Sequence, residues 1–306
     1  MRMVNGLLVL AAAWLLAGCD NLLAARMVRP PNGQVTAPGV KVRPDEKEQR
    51  VLVGTPPAEL SYWVLEPKMP VRGTVLLLHG FVADHHQLEG PAKALQKAGY
   101  RAVLVDLRGH GRSTGDHITF GVEDAVDLRQ LTDHLQKEHL CGASVGVYGT
   151  SYGAATALLF AGSDPRVKAV VAVAPFASLR EEAPYFGKYV LALPGRFLTA
   201  ADYVKVVDRM GKLAGFDPDA CSPLAAIQKT TAHVRLFHGT SDLIVSSHAS
   251  EELAAAAPGR TELTLVPGKG HLSLVLDLLG ELRPQTREWF DTYLATKPEK
   301  AVAAVH

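Results

Sequence analysis

The chain has 306 residues, 47% of them apolar and 21% charged, with a formal net charge of +1 at pH 7. A chain of this length and balance can bury a sizeable core in one large domain or two small ones. The near-zero charge gives no electrostatic reason to expect nucleic acid or another polyanion as a partner. No repeat of 20 to 50 residues and no zinc-finger spacing of Cys and His occurs.

The first element is "MRMVNGLLVLAAAWLLAGCD". A short basic head with Arg2, an apolar stretch from Leu7 to Ala17 and a small-residue boundary describe a secretory signal too short for a comfortable membrane span. Its end, Leu16-Ala17-Gly18-Cys19, resembles the lipobox of bacterial lipoproteins. That resemblance implies cleavage of residues 1–18 and acylation of Cys19, with an ordinary cleaved signal or an uncleaved anchor as the alternatives. Acyl chains at about 0.8 kcal/mol per buried methylene would hold the protein on a membrane of the bacterial cell envelope. Asp20 resembles the residue that retains lipoproteins at the enterobacterial inner membrane. Residues 19–49 carry prolines and the charged run "KVRPDEKEQR" without an apolar period, and are expected to form a tether.

A domain over residues 50–296 follows, with 297–306 as a tail. "RVLVG" and "LSYWVLEP" look like two antiparallel strands, and "GTVLLLHG" is a continuous apolar run suited to a fully buried strand. An alternation then begins. "LEGPAKALQKAG" is helical with Leu88, Ala92 and Leu95 on one stripe, "YRAVLVDL" is a strand, and "VEDAVDLRQLTDHLQKEH" is a long amphipathic helix. "ASVGVYG", "VKAVVAVAP", "HVRLFHG" and "TELTLVPG" are further strands, separated by "AATALLFAG" and the helix around "ASEELAAAAPG". Such alternation predicts an α/β fold: a mostly parallel sheet with helices on both faces and active residues at the carboxyl ends of the strands. From about 178 to 231 no strand is evident. Helical pieces carrying Tyr185, Phe186, Tyr189, Phe197 and Tyr203 are expected there, as a small lid over the strand ends with an apolar wall.

The chemistry centres on "GTSYG". Ser151 follows a strand and opens a helix, the setting of a nucleophile elbow. Gly149 and Gly153 lack the Cβ atoms that would collide across so tight a turn, and the helix amino terminus favours developing negative charge. A serine hydroxyl needs a base, and the base needs an orienting acid. "GKGHLSL" puts His271 in a loop after the last strand, and "FHGTSDLIV" puts Asp242 after the preceding one. Two preorganised N–H donors are also required. Tyr152 and, from the loop after "VLLLHG", Phe81 are the expected backbone oxyanion hole.

In "LLLHGF", "DLRGHGRSTG", "GTSYGA", "HGTSDLIV" and "GKGH", residues 50 to 296 resemble the α/β-hydrolase superfamily. Among its branches they look most like the serine hydrolases related to the S33 peptidases and the protein-depalmitoylase-like group. The resemblance implies Ser151 as nucleophile, His271 as general base then acid and Asp242 as its orienting carboxylate. The expected activity is cofactor-free cleavage of esters or thioesters of a small-molecule or acylated substrate, with a medium apolar acyl group suggested by the aromatic lid. Peptidase-type amide hydrolysis and non-catalytic binding at the membrane are the alternatives.

Other signals are discounted. "LRGHGRSTG" nearly reads as a dinucleotide fingerprint, but Gly115 falls one residue late and no helix opens there. Asp106 and His110 are instead expected as internal hydrogen-bonding residues. His79, His85, His86, His110 and His117 match no helical ligand pair, so no metal is expected. Cys141 and Cys221 are expected on opposite faces and unbonded.

Overall fold

The computed structural model describes residues 20–32, 47–190 and 198–295. Cys19 and the preceding signal, Phe197 and the tail from 297 lie outside the described residues, as does the side chain of Tyr189. Among the described residues no helix is long and apolar enough to cross a membrane.

Eight strands form one sheet: β1 (Gln49–Val53), β2 (Ala58–Leu65), β3 (Thr74–Leu78), β4 (Arg101–Val105), β5 (Val145–Thr150), β6 (Val167–Val173), β7 (His233–Gly239) and β8 (Thr261–Val266). The order across the sheet is β1-β2-β4-β3-β5-β6-β7-β8. β1 and β2 pair antiparallel, β2 joins β4 antiparallel, and from β4 onward every pairing is parallel. The apolar run "TVLLL" becomes β3 at the sheet's centre, where every residue is buried. A parallel strand covered on both faces has no solvent side to alternate toward, so a continuous apolar run is what this position demands. Each leucine so buried contributes about 1.5–3 kcal/mol of apolar transfer before packing terms are added.

Helices cover both faces. α2 (Glu89–Lys97) and α10 (Arg283–Tyr293) pack on one face. α3 (Val122–Lys137), α4 (Tyr152–Ser163) and α8 (Ser247–Ala256) pack on the other. The two faces bury separate cores, one around Trp63, Tyr148, Phe237 and Phe290, the other around Leu78, Val147, Phe160 and Leu236. α2 buries Ala92 and Leu95 as its stripe requires, and Gly99 at φ +94° turns the chain into β4.

Between β6 and β7 lies the helical insertion: α5 (Leu179–Val190), α6 (Ala200–Ala214) and α7 (Pro223–Lys229). Arg180 ties α5 to α6 through Asp208 at 2.9 Å, and also pairs with Asp219. Thr199 caps α6 by accepting from the N–H of Asp202, whose carboxylate returns the bond to the Thr199 N–H at 3.0 Å.

Only the first part of the expected tether is corrected by the structure, since residues 33–46 lie outside the described residues. Residues 20–28 form a helix, α1, and it is packed rather than free. Ala24, Met27 and Val28 are buried in the same core as Leu78. After it, the Val28 carbonyl accepts from Ile118 N–H at 3.0 Å, and the Asn32 amide donates to the Ser113 carbonyl at 2.9 Å. The three buried residues stand at helical spacing i, i+3, i+4, a stripe too short to register beside the prolines and charges that follow.

Cys141 and Cys221 are buried free thiols. Burial pushes the Cys141 thiol up to about 11, so neither its thiolate nor exchange chemistry is available near neutral pH.

Candidate active site

β5 ends at Thr150 and α4 begins at Tyr152, leaving Ser151 alone to make the turn at φ 51°, ψ −115°. An L-residue at positive φ is strained, and the surroundings hold it there. Ser151 N–H donates to the Val173 carbonyl at 2.8 Å, and its own carbonyl accepts from Ala154 and Ala155 of α4. The flanking glycines are required by close approach. A Cβ at Gly149 would sit 2.2 Å from the Gly153 carbonyl oxygen, and one at Gly153 would sit 2.2 Å from that of Leu78 on β3.

His271 begins the short helix α9 (His271–Val275) after β8, and Asp242 lies in the loop after β7. His271 Nε2 is 2.9 Å from Ser151 Oγ, and its Nδ1 is 2.7 Å from Asp242 Oδ2. Asp242 Oδ1 accepts from the N–H groups of Ile244 and Val245, each at 2.9 Å. Burial pushes the Asp242 carboxyl upward. Hydrogen bonding from His238 and His271 and from the Val245 N–H outweighs it, holding the group well below the ordinary carboxylate range. An ionised Asp242 requires the proton of His271 on Nδ1, which leaves the Nε2 lone pair facing the serine hydroxyl.

The structure thus brings Ser151, Asp242 and His271 together from three strand ends. It also supplies His238, which sequence reading treated only as part of β7. His238 is buried, with Nε2 3.4 Å from Asp242 Oδ2 and Nδ1 2.7 Å from Ser250 Oγ. Its position four residues before Asp242 was the available signal.

Phe81 and Tyr152 flank the serine. Tyr152 opens α4, and the first amide of a helix has no acceptor within it. A Cβ at Gly80 would lie 3.6 Å from Ser151 Cβ, so the Gly80–Phe81 backbone runs directly beside the hydroxyl. That loop is fixed from behind. Gln87 Oε1 accepts from Gly80 N–H at 2.7 Å, and His79 Nε2 accepts from Leu107 N–H at 3.0 Å. His79 must then carry its proton on Nδ1, which donates to the Gly80 carbonyl at 2.8 Å.

Asp106 and His110 lie inside the body. Asp106 accepts from His85 and from Arg112 N–H at 2.7 Å, and His110 Nδ1 lies 2.8 Å from the Arg108 carbonyl. Among the described residues Asp84, His85 and His86 offer atoms within 4.8 Å of one another. His85 Nδ1 meets Asp106 at 2.9 Å and His86 Nδ1 meets Asp84 at 3.0 Å. His117 makes no part of that group.

A narrow apolar cavity of about 30 Å³ opens beside Ser151. Phe81, Phe120, Tyr152, Phe176 and Val245 line it from the body, and Leu179, Glu182, Ala183 and Phe186 of α5 line it from the lid. Phe186 meets Phe81 edge-on at 5.0 Å, closing that side. Met27 of α1 supplies a further part of the wall. The aromatic expectation divides here. Phe186 faces the cavity, whereas Tyr185 is 52% exposed and lines an outer groove with Ser246 and His248. One helix cannot turn adjacent residues the same way, and the stripe 179, 182, 183, 186 is the one that faces in.

Behind Tyr152 its hydroxyl donates to Asp124 Oδ2 at 2.8 Å, in a fully buried spot where burial and the neighbouring Asp127 push the Asp124 carboxyl up to about 7.

The comparisons agree with this architecture. Residues 69–213 match the family model described as serine aminopeptidase, S33. The Bacillus subtilis protein YqkD is 26% identical over 65% of this chain and 64% of its own length. Epoxide hydrolase B of Mycobacterium tuberculosis is 34% identical over 40% of this chain and 32% of its own, and the Schizosaccharomyces pombe protein bem46 is 27% identical over 45% and 47%. The chain therefore spans less than two thirds of each of these relatives. Among solved structures, the Pyrococcus furiosus esterase Pf2001 superposes with a TM-score of 0.67 at 21% identity, covering 88% of this chain and 99% of that one. A thermophilic esterase from Thermogutta terrifontis gives 0.55 at 20%, covering 80% and 98%. With this sheet order, the strand-to-helix turn at Ser151 and the superposition on these esterases, the chain has the α/β-hydrolase fold.

Proposed function

We propose that the protein is a cofactor-free serine hydrolase that cleaves carboxylic esters or thioesters through an acyl-enzyme on Ser151. The observation that carries this reading is the continuous hydrogen-bonded line from Asp242 through His271 to Ser151 Oγ, at 2.7 and 2.9 Å. His271 Nε2 takes the hydroxyl proton as Ser151 attacks the carbonyl carbon, and the imidazolium so formed is stabilised by Asp242. The backbone amides of Phe81 and Tyr152 receive the developing oxyanion. His271 then gives its proton to the leaving oxygen or sulfur, and afterwards draws one from the water that clears the acyl group.

Ester cleavage is favoured over aminopeptidase chemistry by the character of the lid carboxyl. Glu182 sits in an apolar wall, and burial pushes it up to about 9, with the Asp242 charge adding to the effect. A neutral acid is a poor anchor for a substrate ammonium.

The envelope location and acylation of Cys19 belong to the same proposal. From residue 20, the first one described, α1 rises about 10 Å to Met27 in the cavity wall. An anchored amino terminus would therefore hold the cavity near the membrane surface. Loss of membrane association and of metabolic acyl label in Cys19→Ser supports the anchor. Retention of both refutes it.

The catalytic reading is tested by turnover of an ester series with Ser151→Ala, His271→Ala and Asp242→Asn. Each should lose most turnover, and the double variants should lose no more than the singles, because the three act as a unit. Additive, mild losses would contradict it.

A further inference from the structure

Among the described residues Glu182 is the one carboxyl lining the Ser151 cavity, at the point where α5 also borders the outer groove beside Tyr185. It is 8% exposed, lines the cavity together with Phe81, Tyr152 and Phe186, and its Oε1 is buried with no hydrogen-bond partner. A buried polar atom left unpaired costs about 1–3 kcal/mol, and an apolar side chain on α5 would fill the same wall without that cost. Glu181, its neighbour, is exposed, so the lid had a solvent position for a carboxylate one residue away. The cavity also has a sidedness. It is lined by Phe81 and Tyr152, the residues on the oxyanion side, and not by His271, toward which a leaving group must point. It therefore receives the acyl half of a substrate.

We propose that Glu182 determines specificity, its carboxyl hydrogen-bonding to an oxo or ether oxygen carried partway along an otherwise apolar acyl chain. This rests on the reading that Ser151 accepts the acyl group. Burial keeps the group protonated at neutral pH, so it presents an O–H donor to a substrate acceptor. A site that holds a buried polar group for its substrate discriminates against the analogue that leaves the group unpaired. A plain alkyl chain would leave Glu182 as orphaned as it is without substrate.

The test compares p-nitrophenyl esters of equal chain length, plain or with an oxo group at the third, fourth or fifth carbon, and an ω-amino ester of the same length. In wild type one oxo position should exceed the plain ester in kcat/KM by about tenfold. Glu182→Gln, which keeps a neutral donor, should preserve most of that ratio, and Glu182→Leu should bring it to about one while raising Tm. A ratio unchanged in Glu182→Leu, or no oxo preference at any position while Ser151-dependent hydrolysis of the plain ester persists, overturns this proposal alone. An ω-amino ester preferred by wild type and not by Glu182→Gln overturns it in favour of an ionised carboxylate. Hydrolysis that is absent, or unaffected by Ser151→Ala, overturns the hydrolase reading and this proposal with it.

Discussion

The two walls of the cavity are built on opposite rules. On the strand-end side Asp242 Oδ1 accepts two amides, Oδ2 meets His271, and His238 is bonded at both ring nitrogens. Among the described residues the lid side is apolar apart from Glu182, whose Oε1 is buried without a partner. Satisfied polar groups on rigid sheet ends preorganise the chemistry. A wall borrowed from α1 and α5 is free to differ without disturbing it. Under the proposed function, reaction type and substrate preference reside in separate parts of the chain.

Substitutions on the first wall should cost rate, and those on the second should alter selectivity. The largest effect expected is at Asp242. Asp242→Asn keeps the shape but favours the wrong tautomer of His271, and kcat should fall about 10⁴-fold with KM little changed. Measured in the same ester assay, a loss below about tenfold would break the distinction. Behind it, His238→Phe removes the polar contact to Asp242, and kcat should fall about tenfold through mispositioning of the carboxylate. An effect on KM alone would instead assign His238 to substrate binding.

On the second wall, Met27→Ala should shift the best acyl length upward by one or two carbons, with kcat/KM changing only about two- to fivefold. An unchanged chain-length profile would show that α1 packs on the cavity without shaping it.

A separate effect, read in stability and not in rate, is expected beneath the oxyanion side. The Asp124 carboxyl is pushed up to about 7 in the folded protein, against about 3.9 unfolded. A raised folded value means stability that is fully present below about pH 3.9 and lost as pH rises through 7. Asp124→Asn lacks that loss, so its Tm relative to wild type should rise between pH 4 and pH 8, by about 2–4 °C per kcal/mol. A difference in Tm that stays constant across this range would refute the burial argument.

Legibility followed the same division. The sheet, the elbow and the triad residues were readable because each depends on a few neighbouring residues. Gly149 and Gly153 clear a turn, "TVLLL" has no solvent side, and Asp242 and His271 each follow a strand. That Ser151, His271 and Asp242 would lie near one another was expected from the strand ends they follow and their order along the chain. The second wall was not. α1 buries three residues over a single turn, so its stripe is lost among the charges of the expected tether. Tyr185 and Phe186 are adjacent aromatics, and composition does not say which of them the helix turns inward. Glu181 and Glu182 look alike in sequence, and only packing against the body buries the second.

The central claim is that Ser151 is the nucleophile of a hydrolase. Its most direct test is peptide mapping after treatment of the folded protein with a fluorophosphonate. One adduct is expected, on Ser151, lost in Ser151→Ala and strongly slowed in His271→Ala. Labelling elsewhere, equal labelling of Ser151→Ala, or an inert Ser151 in folded protein would contradict it.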